Sequence, residues 1–407
     1  MQKNLEKYAR LLVRKGINIQ KDQLLVVRAP METREFVHLI AKEAYDAGAK
    51  NVHVEYSDDK LNLIRYQKAP LESFGEALQW KADGFEQMAK DNAAFLSITG
   101  TDPDLLKGVD PEKIALNTKT QGESMKNFRK IMMNSEASWC VAAVPSPAWA
   151  KKVYPDLSEE EAVEKLWDSI FKMTRSDLED PVTAWNDHII ALKDRVKKLQ
   201  DYNFKTLHYK SAVTDLMVDL APNHVWISAE EKNAKGTTFI ANMPTEEIFT
   251  AARRDGVNGY VSNTMPFNYS GTLIDGFKLT FKDGKIVEMS AKVGEEVFEK
   301  LLNTDEGARY LGEVALVPYD SPISNTNTIY FNTLFDENAS CHFAFGAAYP
   351  TNVKGGDKMT QDELKKAELN VSMVHEDFMV GSADMNIDGI THDGQVIPVF
   401  RDGNWAL

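Results

Sequence analysis

The sequence contains only two cysteines, Cys140 and Cys341, in 407 residues. So few cysteines in so long a chain argue against a disulfide framework and favour a reducing compartment. No stretch approaches the run of about 18 apolar residues that a membrane span needs. The first 16 residues alternate charged and apolar side chains at helical spacing, which predicts an amphipathic helix rather than a secretory signal. We therefore expect a cytoplasmic protein that does not span a membrane.

Basic residues are also fewer than acidic residues. The sequence has 47 lysines and arginines against 61 aspartates and glutamates, which gives a formal net charge of -14. A surface with this balance repels phosphate backbones and anionic lipids, so we do not expect nucleic acid as a partner. Three motifs are missing as well: G-x-G-x-x-G and G-x-x-x-x-G-K-[ST], which bind phosphates, and G-x-S-x-G, which carries a serine nucleophile. Chemistry based on a nucleotide or a serine nucleophile is therefore not supported.

The first half of the chain alternates predicted strands and helices. Residues 23–29 form a short apolar run, residues 33–49 have an amphipathic helical pattern, and residues 51–58 alternate with period two. Similar strand patterns recur at 93–100 and 138–145, each after a helical segment and each ending in Gly, Ser, Thr or Pro. This alternation predicts an α/β domain with a mostly parallel sheet.

Two helices are predicted before residue 204, and in the first of them Ser158 and Glu161 have the spacing of a capping box. The pattern changes near residue 204. Beyond that point strands are short and turns frequent, and Asp283-Gly284 between two alternating runs predicts a tight hairpin. We therefore predict an α/β N-terminal domain of residues 1–203 and an α+β C-terminal domain of residues 204–407.

Residues that could carry chemistry lie in the second half. In the predicted strand "SMVHEDFMV", His375 and Asp377 are two residues apart and face the same side, so that both can ligate one divalent ion. The alternative is a core histidine hydrogen-bonded to its aspartate neighbour. Residues 384–389, "DMNIDG", match half of a calcium loop, but Gln395 replaces the glutamate that completes it. We predict a strand and a turn there, with the acidic groups in local hydrogen bonds or facing solvent.

Three further segments place ionisable groups in apolar surroundings. Glu246 and Glu247 follow a proline and a threonine, Glu313 lies in an apolar strand, and His342 lies among Ala, Phe and Gly. Taken singly, the two adjacent acids could begin a helix, Glu313 could pair with Arg309, and His342 could be a packed core residue. Taken together, these groups form the mixed nitrogen and oxygen ligand set of a zinc-like or cobalt-like site, which often holds two ions.

Four of these segments occur together and in a particular order: "NMPTEEIFTA", "GEVALVP", "HFAFGAAYP" and "HEDFMVGSADMNIDGI". In this order they resemble the motifs of the thermophilic metallo-aminopeptidase family. The opening "NLEKYARLLVRKGINIQKDQLLVV" is similar to that family's N-terminus, so the resemblance spans essentially the whole chain.

The resemblance implies removal of N-terminal residues from peptides, with two divalent ions (Zn, Co, Mn or Mg) activating a water molecule. It places the metal ligands in the C-terminal domain, at Glu247, Glu313, His342, His375 and Asp377. Glu246 is the alternative to Glu247. One of Glu247 and Glu313 would accept the proton of the water, and Tyr349 would stabilise the oxyanion. The resemblance also implies a homodimer that binds peptides with a free N-terminus.

Two other functions fit the residues less well. One is a different two-metal hydrolase, acting on phosphoesters or on acyl amides that lack a free amine. The other is a nonenzymatic protein that binds a metal or a solute, which would need neither Tyr349 nor an open coordination position.

Overall fold

The structure, a computed structural model, describes residues 1–269 and 272–407. Its α-helices in these ranges are α1 (Gln2–Leu11), α2 (Arg34–Asp46), α3 (Asp59–Lys68), α4 (Gln79–Lys90), α5 (Pro111–Ser124), α6 (Lys126–Met133), α7 (Pro147–Val153), α8 (Glu159–Met173), α9 (Pro181–Tyr202), α10 (Glu295–Leu302), α11 (Thr333–Asp336) and α12 (Gln361–Lys366).

The strands of the same ranges are β1 (Leu24–Pro30), β2 (Asn51–Ser57), β3 (Ala94–Thr99), β4 (Trp139–Ala143), β5 (Thr206–Ser211), β6 (Thr214–Leu220), β7 (Ile227–Ser228), β8 (Glu230–Lys232), β9 (Thr238–Ile240), β10 (Asn242–Met243), β11 (Ile248–Ser262), β12 (Phe267–Tyr269), β13 (Thr272–Ile274), β14 (Lys278–Lys282), β15 (Lys285–Ser290), β16 (Leu311–Leu316), β17 (His342–Gly346), β18 (His375–Met379), β19 (Asn386–Ile390), β20 (Val396–Arg401) and β21 (Asn404–Trp405).

The first sheet is parallel throughout, in the order β10-β4-β3-β1-β2. Its strands β1 to β4 coincide within two residues with the apolar runs that predicted them, so the predicted parallel sheet is confirmed. The rings of Phe85, Phe95 and Phe128 pack together in the hydrophobic core beside it, with centroids 5.1–6.5 Å apart. The predicted capping box of α8 is also present: Ser158 Oγ accepts from the Glu161 N–H, and Glu161 Oε2 accepts from the Ser158 N–H.

The second large sheet is antiparallel, and its main path is β18-β17-β16-β11-β6-β5-β19-β20-β21. The strands β14 and β15 form the predicted hairpin, joined by Asp283 and Gly284, which have φ angles of 48° and 81°. Positive φ at both positions matches the twist of a two-residue hairpin. A parallel α/β region followed by an antiparallel sheet with helices therefore confirms the predicted fold class in outline.

Contacts divide the chain into two compact units. One unit contains Met1–Asp187 and Glu230–Pro244, and the other contains His188–Ala229 and Thr245–Leu407. The segment Glu230–Pro244 belongs to the first unit because its strand β10 pairs with β4 of the parallel sheet. The predicted division into domains of residues 1–203 and 204–407 stays a prediction.

Aromatic residues fix the orientation of β17 and β18 in the second unit. Phe345 of β17 stacks on Phe378 of β18 with ring centroids 4.2 Å apart, and Phe343 contacts the same ring at 5.9 Å. All three are fully buried. Because neighbours along a strand point to opposite faces, this packing turns the alternate residues of both strands, including His342 and Asp377, to the other face.

Two further sequence-based expectations concern the cysteines and membrane-spanning helices. Both cysteines are buried and free. In the part of the chain that the structure describes, no helix is both long and apolar enough to cross a membrane.

Candidate metal centre

The strand register places four of the five predicted ligands on one face of three adjacent strands. Glu313 of β16 lies opposite Ala344 of β17, which lies opposite Asp377 of β18. On its other side Glu313 pairs with Ala251 of β11. Directly paired residues of an antiparallel sheet point to the same face, and that face also carries His342 and His375, each two residues from a paired position. Alanine between the acidic groups leaves room for them to approach.

The structure brings all five predicted ligands together. Nε2 of His342 lies 3.2 Å from Oε2 of Glu247 and 3.7 Å from Oε1 of Glu313. Nε2 of His375 lies 3.6 Å from Oε2 of Glu313 and 3.8 Å from Oδ1 of Asp377. Glu313 therefore directs one carboxylate oxygen toward each imidazole.

Two groups of possible ligand atoms share this glutamate. One consists of Glu247, Glu313 and His342, and the other consists of Glu313, His375 and Asp377; within each group the ligand atoms lie within 4.8 Å of one another. The Glu313 carboxylate therefore belongs to both groups.

Both histidines are held by their other ring nitrogen. Nδ1 of His342 is 3.1 Å from the carbonyl oxygen of Ser340, and Nδ1 of His375 is 2.7 Å from that of Ala347. A carbonyl oxygen can only accept, so each Nδ1 carries a proton, and whenever the ring is neutral the lone pair of Nε2 faces the carboxylates. A lone pair facing an anion is unfavourable, and a cation between them, or a second proton on the ring, removes the conflict. A metal-bound histidine usually donates its other ring N–H in this way, to a backbone carbonyl, a carboxylate or water.

The site concentrates negative charge in the protein interior. Burial raises the pKa of Glu313, and the charges of Asp377 and Glu247 raise it further. Burial alone would lower the pKa of His342, but the carboxylates of Glu247 and Glu313 outweigh it and raise that pKa well above its usual value. Within residues 1–269 and 272–407, no lysine or arginine forms an ion pair with Glu247, Glu313 or Asp377.

The donor set therefore fits divalent metal ions. Oδ1 of Asp377 is buried without a hydrogen-bond partner among the described residues, which would be costly unless a further group meets it. Three carboxylates and two imidazoles are ligands that zinc, cobalt and manganese accept.

Tyr349 lies beside this cluster, in the turn that follows β17. Its ring meets the His375 ring edge-on at a centroid distance of 4.8 Å and the Phe249 ring at 5.9 Å. Burial, and then the negative charge of Glu313, raises the pKa of Tyr349 well above its usual value, so the hydroxyl stays protonated. No hydrogen-bond partner of this hydroxyl is found among the residues the structure describes.

The geometry also separates Glu246 from Glu247. The side chain of Glu247 faces His342, whereas Oε2 of Glu246 lies 3.4 Å from Nε2 of His188. The suggestion that the two acids begin a helix is wrong, because strand β11 begins at Ile248. The suggested pairing of Glu313 with Arg309 is also wrong, since the guanidinium of Arg309 donates to Asn303 instead.

Sequence reasoning missed one acidic residue of the site, Glu337. It lies in the short 3-10 turn Glu337–Ala339 after α11, and this turn packs beside β18. Burial, and then the negative charges of Asp377 and Glu247, raises the pKa of Glu337 well above its usual value. Its segment, "LFDENAS", has no strand alternation and no spacing typical of a ligand pair, so only the proximity of "ASCHF" could have drawn attention to it.

The partial match to a calcium loop is explained by ordinary hydrogen bonds. Asp384 accepts from Ser382 Oγ and from the Ala212 N–H, and Asp388 forms an ion pair with Arg401. The segment continues as the hairpin of β19 and β20. The prediction of a strand and a turn is confirmed.

Comparison with known proteins gives a consistent result over the whole chain. The family model described as thermophilic metalloprotease (M29) matches residues 1–405. Aminopeptidase AmpS of Bacillus subtilis is 49% identical over 403 residues, covering 99% of this chain and 98% of that protein. Aminopeptidase T of Thermus thermophilus is 42% identical over 405 residues, covering 100% and 99%. The solved structure of wild-type AmpT from Thermus thermophilus has a TM-score of 0.95 at 41% identity and covers 100% of both chains.

Proposed function

This chain belongs to the thermophilic metalloprotease family, as its sequence motifs predicted, and we propose that it is an aminopeptidase that uses divalent metal to remove N-terminal residues from peptides. The observation that carries the proposal is the coincidence of two findings. Relatives at 41–49% identity along their whole length are named aminopeptidases. The residues that resemblance assigned to metal binding form two ligand groups around one shared glutamate.

In this proposal Glu247 and His342 would hold one ion, His375 and Asp377 would hold the other, and Glu313 would contribute to both. Zinc, cobalt, manganese and magnesium are the candidate ions, because carboxylate and imidazole ligands accept each of them. The division of Glu313, with one oxygen toward each imidazole, supports its contribution to both. When bound, two such ions polarise a carbonyl group and lower the pKa of a water molecule into the neutral range.

The protein must also supply a group that accepts a proton and delivers it to the leaving amine. Both oxygens of Glu313 face imidazoles, so we assign Glu313 to metal binding rather than to proton transfer. Glu247 has one oxygen that contacts no imidazole, and Glu337 contacts none in the described residues. We therefore assign the proton transfer to one of these two carboxylates. Glu247→Gln should lose an ion, whereas Glu337→Gln should retain both ions and lose kcat if Glu337 is the acceptor.

We assign Tyr349 the role of a donor to the developing oxyanion. Its hydroxyl has no partner in the described protein and its ring packs on a proposed ligand, His375. A preorganised donor of this kind acts on charge that appears only in the transition state. The acidic character of the site in turn suits the positively charged α-amine of a peptide substrate.

The deciding experiment measures hydrolysis of leucyl-anilide by protein stripped with a chelator and reloaded with each of the four ions. N-acetyl-leucyl-anilide is the matched control, because it differs only in lacking the free amine. We expect turnover of the free amine alone, and only after reloading. Cleavage of both substrates would indicate a less selective amidohydrolase, and binding of ions without turnover would indicate a nonenzymatic metal-binding protein.

Two further features are part of the proposal. Buried free cysteines are compatible with a reducing cytoplasm. A homodimer follows from the family resemblance, and sedimentation velocity of the purified protein tests it.

A further inference from the structure

A fully buried asparagine, Asn338, connects the segments that carry the acidic groups at one end of the proposed centre. Its Oδ1 accepts from the backbone N–H of Glu246 at 2.8 Å, and its Nδ2 donates to the backbone carbonyl of Leu334 at 3.1 Å and to Oε1 of Glu337 at 3.4 Å. The first partner directly precedes Glu247 in the chain. Asn338 itself follows Glu337 and precedes His342 by four residues.

The two backbone partners determine the orientation of the amide. A backbone N–H can only donate and a backbone carbonyl can only accept, so the oxygen of the Asn338 side chain must face Glu246 and the nitrogen must face Leu334. Only an uncharged side chain with one donor and one acceptor at this length satisfies both, and exposure of Asn338 to solvent is 0%. Without the bond, the Glu246 N–H would lose its partner in the protein interior, where water is a poor substitute.

From this geometry we infer that Asn338 is a positioning residue that sets the affinity of the ion held by Glu247 and His342. It acts through the backbone on which Glu247 is carried, and it makes no side-chain hydrogen bond to the strand that carries His375 and Asp377. The effect should therefore be unequal at the two ends of the centre. This inference rests on the two-ion centre of the proposed function.

The test is calorimetric titration of zinc into chelator-stripped protein. Wild-type protein should show two binding events, of which Glu247→Gln identifies one and Asp377→Asn the other. Asn338→Ser, whose side chain is too short to span both partners, should weaken the Glu247 event by about 10-fold to 100-fold and leave the Asp377 event unchanged. If Asn338→Ser does not fold, Asn338→Thr is the second variant, since its branched, uncharged side chain fills more of the same space without reaching both backbone partners, and the same unequal weakening is expected.

A second buried asparagine provides the matched control. Asn233 is 5% exposed and holds a turn by accepting from the N–H groups of Lys235 and Thr237, in the compact unit that contains none of the proposed ligands. Asn233→Ser should lower thermal stability and leave both zinc events as in the wild type.

Equal weakening of both events by Asn338→Ser, or no weakening, would overturn the inference and leave Asn338 a general structural residue. A single event in the wild type would refute the two-ion centre instead. Asn338 would then still be judged by whether that one event weakens in Asn338→Ser.

Discussion

Replacing Tyr349 with phenylalanine tests the proposed mechanism at one atom. The change removes a hydroxyl that has no hydrogen-bond partner in the described residues, and it keeps the ring contacts to His375 at 4.8 Å and to Phe249 at 5.9 Å. The folded protein therefore loses no intramolecular hydrogen bond and no packing surface. We expect the free energy of unfolding to change by no more than about 0.5 kcal/mol.

The loss of stabilisation in the transition state should be much larger than this change in folding stability. Removal of one oxyanion donor costs about 2.7–4 kcal/mol of transition-state stabilisation, which lowers kcat by roughly 100-fold to 1,000-fold. Because Tyr349 contributes no ligand atom to either metal group, the number of bound ions should stay as in the wild type.

The assay compares kcat for leucyl-anilide, zinc content and thermal unfolding in wild type and variant. Tyr209→Phe is the control, since the Tyr209 hydroxyl also lacks a partner within residues 1–269 and 272–407 and its ring packs on Phe343 at 4.9 Å, on the core side of β17. That control should keep the wild-type kcat. A wild-type kcat in Tyr349→Phe would remove Tyr349 from the mechanism and leave it a packing residue.

Three other changes have defined outcomes. His375→Ala should lose bound metal and activity together, because its Nε2 is the proposed imidazole ligand beside Asp377; full metal content in this variant, measured by atomic emission, would make His375 structural. Chelator treatment should lower the unfolding temperature, since each ion present at 100 times its Kd stabilises the folded state by about 2.7 kcal/mol, and calorimetry that finds no shift would contradict binding. Ser158→Ala should lower the free energy of unfolding by about 1 kcal/mol through loss of the α8 cap, with kcat unchanged; denaturant titration measures the first and an anilide assay the second.

Local patterns predicted the first half of the fold well. The strands β1 to β4 are apolar runs bounded by turn residues, and helix α8 begins at a capping box, so each signal lies within a few neighbouring residues. Strand β11, with 15 residues, was not recognised. Its middle contains two adjacent charged residues, Arg253 and Arg254, which interrupt the alternation of apolar and polar side chains. They form ion pairs with Glu368 and Glu306, which are far away in the sequence and leave no local signal.

The site was predictable in its parts but not in its geometry. The spacing of His375 and Asp377 places both on one face of a strand, and this holds in the structure. Their approach to Glu313 depends on the pairing of β16, β17 and β18, which are separated by long connections, and no local pattern determines that register. Glu337 went unrecognised for the same reason, since a short turn becomes significant only through what it packs against.

The candidate ligands Glu313, His342, His375 and Asp377 all lie on paired strands, whereas Tyr349 and Glu337 lie on the connections between those strands. A strand residue cannot shift without breaking a ladder of hydrogen bonds, but a connection can change length and sequence while its ends stay in place. Mutations in the connections can therefore change the residues around the proposed centre without displacing the ligands on the strands. Insertions or substitutions at most positions of residues 317–341 and 347–374 can alter rate and substrate preference over evolutionary time without moving the four ligands on the strands. Asn338, through which we infer that Glu247 is positioned, is the exception.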